Sequence, residues 1–224
     1  MTPTGPAAVG FVPAAPLLVP AVGGGSAPLD EPLRQACRAV ARELAVHTAR
    51  AIVVLASGPE GGPWTEAATW GFEGFGVERR PSDDRPRLPW QLGIGGWLLD
   101  DVGWTGVRRY LTDSSPPDLA ADETVLVIGD GSACRSEKAP GHLDARAEKF
   151  DAGIATAIAA GDIEALGGLD PALSAELLCA GAPTWRALAE GLTGHPVVEA
   201  KLLVDAAPYG VGYFVGWWRL AETR

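Results

Sequence analysis

The run Thr124-Val125-Leu126-Val127-Ile128-Gly129, emptying into Asp130-Gly131-Ser132, decides the fold. It is short, rich in β-branched residues and closed by glycine. That pattern predicts a strand buried on both faces, as in a parallel sheet. The polar loop after it stands at a strand's carboxyl end, where α/β sheets gather their sites. Ala51-Ile52-Val53-Val54-Leu55-Ala56 is a second such run. Val9-Gly10-Phe11-Val12, stopped by Pro13, predicts a further strand, and residues 107–111 another. Leu33, Cys37, Val40 and Leu44 recur at helical spacing, which predicts a helix over 30–50 with Asp30 as its N-cap. Residues 91–102 predict a helix weakened by Gly93, Gly95 and Gly96. These glycines make no dinucleotide fingerprint, since no strand runs into them. Phe150, Ile154, Ala157 and Ile158 mark a helix over 145–160 that stops at Gly161. Short helices are expected near 164–166, 171–179 and 184–190. Strands over 197–204 and 211–218 are expected to pair across a turn at 205–210. Residues 57–90 have no period and predict irregular loop with room for a short hairpin. The chain thus reads as α/β, a single domain over 1–224 with a mixed central sheet flanked by helices.

Composition narrows the function classes. Hydrophobic residues make up 47% of the 224 and charged residues 21%, enough for a sizeable core. The net charge of −10 disfavours nucleic acid and an anionic membrane surface as partners. No segment reaches the ~18 apolar residues that span a bilayer, and the start lacks the basic end of a signal peptide. Cytoplasmic localisation is the expectation. Cys37, Cys134 and Cys179 are too few and scattered for a disulfide framework or a metal knuckle, so buried, reduced thiols are expected.

Two stretches outside the central strand carry a family resemblance. They are Val12-Pro13-Ala14-Ala15-Pro16-Leu17-Leu18-Val19-Pro20 and Leu203-Val204-Asp205-Ala206-Ala207-Pro208-Tyr209-Gly210-Val211-Gly212-Tyr213. Together they resemble the class III extradiol ring-cleavage dioxygenases, the family of the catalytic B subunits of protocatechuate-cleaving enzymes, with Memo-like relatives. The family pattern at the first is Pro-His-Pro-Pro-Leu-Leu-Val-Pro, and at the second Tyr-Glu-Ala-Pro-Phe-Gly-Val-Gly-Tyr. Two further loops are similar to the family's: Leu55-Ala56-Ser57-Gly58-Pro59, and Gly129-Asp130-Gly131-Ser132-Ala133-Cys134-Arg135 with the Ala-Pro-Gly that ends at Gly141.

The resemblance implies the family fold, and it also implies an iron centre that this chain departs from. Relatives use Fe2+ held by two histidines and a glutamate, with a third histidine as acid/base. Those positions match Ala14, Ser57, Ala206 and Ala133 here. A two-imidazole, one-carboxylate centre loses its ligand set with those replacements. No cofactor is therefore expected, and ring cleavage is not. Asp205, one residue before the lost glutamate, is the only nearby carboxylate, and a one-residue shift on a strand turns a side chain to the other face.

Other polar residues are expected to converge with these at one cavity. Asp130 reads as a base, an anchor or a cap for the loop amides. Arg135 and Lys138 read as an anion clamp or as an ion cluster with Glu137. Ser132, Asp205 and Tyr209 complete the pocket candidates. Among the histidines, His47 reads as a helix-end residue, His142 as a loop-ordering one and His195 as solvent-facing. Trp64, Trp70 and Trp90 lie in the irregular segment, where they would cover a pocket. The leading expectation is a metal-free protein binding a small anionic ligand. The alternatives are an oxygenase with relocated ligands, a metal-independent catalyst built on Asp130, Arg135, Glu137 and Lys138, and an assembly protein that forms a homo-oligomer.

Overall fold

A computed structural model describes residues 6–22, 30–48, 50–58, 64–65, 67–77, 85–114 and 117–221. Six strands form one mixed sheet: β1 (Ala8–Val12), β2 (Ala51–Ala56), β3 (Val107–Thr112), β4 (Glu123–Ile128), β5 (Val197–Ala206) and β6 (Tyr213–Leu220). Their spatial order is β3-β2-β4-β1-β6-β5. The first four are mutually parallel, β6 runs antiparallel to β1, and β5 runs antiparallel to β6.

Side-chain alternation sends each strand's residues to two separate cores. From β4, Leu126 and Ile128 join a core with Val40, Leu44, Leu92 and Leu98. Val125 and Val127 join the opposite core with Ile154, Ile158, Trp185 and Trp218. The first core lies under α1 (Asp30–His47) and α2 (Trp90–Asp101). The second lies under α3 (Ala147–Ala160), α4 (Ile163–Gly167) and α6 (Ala182–Gly191); α5 (Pro171–Glu176) packs beside α6. The result is a three-layer helix–sheet–helix arrangement.

The helical stripe read from α1 is buried as expected: Leu33 is 8% exposed, and Cys37, Val40 and Leu44 are wholly covered. In α2 the glycines serve packing. A Cβ on Gly95 would collide with Val54 Cγ1, so the missing side chain lets the helix lie directly on β2. Three expectations change. Residues 57–90 form no hairpin among the described positions. They hold a 3-10 turn at Glu73–Phe75 and single bridges from Trp64 to Tyr110 and from Thr69 to Arg87. Asp205 and Ala206 belong to β5, because the ladder with β6 continues to the Ala206–Tyr213 pair. His195 is half-buried, with its backbone N–H donating to Leu192 O at 2.9 Å.

The three cysteines are free and buried. Burial pushes the Cys37 and Cys179 thiols up to about 12, and raises Cys134. No helix among the described residues is long and apolar enough to cross a membrane.

Candidate active site at the carboxyl edge

β1, β2 and β4 end at the same edge of the sheet, and β6 begins there. Ala14 follows β1 and Ser57 follows β2, while Asp130 follows β4. Ala56 is in register with Ile128, which sets Ser57 beside the Gly129–Asp130 backbone. Gly129 N–H donates to Val12 O at 3.0 Å. The Ala14 N–H donates to Asp130 Oδ1 at 2.7 Å. Of the three readings of Asp130, the cap of a loop amide is thus realised across strands. That bond is the sole one on its carboxylate among the described residues. Burial raises the Asp130 carboxyl from its usual range to about 7, while the Ala14 bond pulls the other way. The group therefore exchanges its proton near neutrality.

The C-terminal turn locks onto the loop after β4. Gly131 N–H donates to Gly212 O at 2.7 Å, Gly212 N–H to Ser132 O at 2.8 Å, and Arg135 N–H to Gly210 O at 2.9 Å. Beneath this junction lies Asp151 of α3, wholly buried. Its Oδ1 accepts from Ser132 N–H at 2.8 Å, and its Oδ2 accepts from Ser132 Oγ at 2.8 Å and from Arg135 Nη1 at 3.1 Å. Burial raises its carboxyl, and these bonds oppose the rise. A Cβ on Gly212 would stand 2.5 Å from Asp151 Oδ2, so only glycine lets the turn close over the carboxylate.

This geometry corrects several expected roles. Ser132 is 0% exposed and spent on Asp151, so it is no pocket anchor. Arg135 pairs with Asp151 and, at 3.8 Å, with Glu148. It does not pair with Glu137, and its charge is already matched by an internal partner. Glu137, Lys138, Asp205 and Tyr209 are exposed, as is Ala206, while Ala133 is half-buried. Glu137 contributes a backbone carbonyl 3.2 Å from His142 Nδ1, and His142 holds the left-handed backbone, φ 58°, that orders this loop. His47 contacts Glu43 at 3.1 Å on its own helix. Glu60, beside the Ser57 loop, lies outside the described residues.

An iron ion does not fit these side chains. Ala14 and Ala206 offer no lone pair, which leaves Asp130 beside Ala14 as a single carboxylate, too few ligands for an iron centre. Ser57 follows β2 and Ala206 ends β5, strands four spacings or about 19 Å apart across the sheet. Among the described residues, no group of three His, Cys, Asp or Glu side chains could hold a metal.

Of the three tryptophans expected in the irregular segment, Trp90 instead opens α2, and Trp70 lines a cavity of about 360 Å³ with Val19, Phe72, Trp97 and Arg87. Its Nε1 donates to Asp100 Oδ2 at 2.7 Å, and Arg87 pairs with Glu73 at 3.0 Å. The reading from sequence missed Asp151. Its signal was spacing: it precedes Ile154 and Ile158 by three and seven residues, a carboxylate in phase with a buried face.

No protein-family model matches the chain, and the curated proteins give no match.

Proposed function

We propose that this chain is a class III extradiol dioxygenase-like protein that works without iron and binds a small hydroxylated molecule at the carboxyl edge, through Asp130. The observation that carries the reading is the Asp130 carboxyl itself. It is half-buried, holds one partner, and has a proton affinity near neutrality. Such a group donates to one ligand oxygen when protonated and accepts from a ligand hydroxyl when ionised. The residues matching the family's ligand positions support the metal-free part, because their side chains lack imidazole and carboxylate. Arg135 no longer supports an anionic guest, since its charge is matched by Asp151. A phenol or catechol, neutral and rich in hydroxyl groups, suits Asp130 better.

The test joins metal analysis with calorimetric titration. After anaerobic reconstitution with iron(II), far less than one equivalent should remain. Catechol and phenol should bind the wild type with an affinity that changes across about pH 7, and Asp130→Asn should remove that pH dependence. A full retained equivalent of iron overturns the metal-free reading. Silence across the panel overturns the binding reading in favour of an assembly role.

A further inference from the structure

The opposite end of the molecule holds a cavity of about 540 Å³ between α4, α6 and the turn that enters β5. That volume lies within the range of small-molecule sites, about 300–1,000 Å³. Ile163, Ala189, Leu192 and Pro196 form its apolar walls, and Leu192 is wholly buried. The walls are fixed by hydrogen bonds to backbone carbonyls. Thr193 Oγ1 donates to Glu190 O at 2.9 Å, His195 N–H to Leu192 O at 2.9 Å, and Ala221 N–H to Pro196 O at 2.9 Å. Glu164 and Glu190 stand at the mouth, both exposed. Neither carboxylate has an ion-pair partner among the described residues, and the cavity is lined by no lysine or arginine, with the His195 imidazole its one basic group.

From the preformed apolar walls and the unmatched acidic rim, we infer that this cavity binds a small amphipathic organic cation. The apolar body packs against Ile163, Ala189 and Leu192, and the ammonium group sits between Glu164 and Glu190. A rim of one sign on low-dielectric walls concentrates cations and repels anions. The site is independent of Asp130: β5 separates the cavity from the carboxyl edge by about 30 Å of strand.

Phenethylamine, phenethyl alcohol and phenylacetate share one ring and differ in charge, so they serve as probes in an NMR and calorimetric titration. Phenethylamine should bind saturably, with amide shifts confined to residues 163–167 and 189–196. The Glu164→Gln/Glu190→Gln double variant should weaken it about fivefold, the scale of two exposed ion pairs. Added salt should weaken it too. The alcohol should match the double variant's weaker binding, and phenylacetate should be weakest. Asp130→Asn should leave amine binding unchanged, whatever happens at the carboxyl edge. No saturable amine binding up to about 10 mM, equal binding of amine and phenylacetate, or shifts mapping elsewhere would each overturn the inference.

Discussion

Asp151 and Asp130 stand about one short loop, residues 131–132, yet one is surrounded and the other is almost bare. Asp151 is wholly buried and accepts three hydrogen bonds, from Ser132 twice and from Arg135. Asp130 is half-buried and accepts one, from Ala14. A buried carboxylate with its oxygens filled is part of the scaffold, because nothing further can reach it. A carboxyl with unused acceptor sites at a strand end is available to a guest. The difference shows that proximity to an expected site does not make a residue functional; how many of its bonds are already made decides more.

The largest expected effect breaks the surrounded side of this pair. Asp151→Ala leaves Ser132 N–H, its hydroxyl and Arg135 without their acceptor in a dry place, so it should cost about 3–5 kcal/mol. Urea unfolding measures it, and a loss below about 1 kcal/mol would mean the network is not structural.

A smaller effect sharpens the bare side. Asp130 has a folded value of about 7, above its ordinary 3.8. The folded state then holds a proton that the unfolded chain has released. This stabilisation is complete below about 3.8 and is lost as pH rises through about 7. Asp130→Asn removes the titration and keeps an acceptor for Ala14. The wild type should therefore lose stability relative to Asp130→Asn as pH rises from about 4 to about 8. Asp151 shifts in the same direction, but it is present in both proteins, so the difference between the two profiles isolates Asp130. Parallel profiles would show that Asp130 is an ordinary carboxylate.

The smallest effect concerns the outer candidates. Lys138→Ala and Asp205→Ala alter exposed side chains and should change stability by no more than about 0.5 kcal/mol. They should also leave phenol titrations at the carboxyl edge unchanged. A loss of binding in either variant would return the site to the loop's outer rim.

The sequence made the sheet readable because its central strands are short apolar runs closed by turn residues. The Asp205–Ala206 pair misled because Asp and the following Pro208 favour turns locally, while the ladder with Phe214 and Tyr213 holds both residues extended. In α2, three glycines argued against a helix on propensity alone. The close approach of Gly95 to Val54 on β2 outweighs that cost. The site was harder to read for a different reason. Ser132 and Arg135 are polar residues in a loop, and their partner Asp151 lies 19 and 16 positions further along, on a helix. Periodicity identifies which face of a helix is buried. It does not say which loop will lie across a carboxylate on that face, because that depends on how the C-terminal turn folds back over it.

The buried thiols turn the molecule into its own reporter. An alkylating reagent attacks the thiolate, and Cys37, Cys134 and Cys179 are both covered and held protonated. Modification therefore waits for opening, and its rate counts openings. Cys37 faces the core from α1 itself, whereas Cys179 touches the Asp130 carbonyl at 3.5 Å and Cys134 the Leu177 carbonyl at 3.5 Å. The order in which the three sulfurs become reactive would thus record which helical layer lifts from the sheet first.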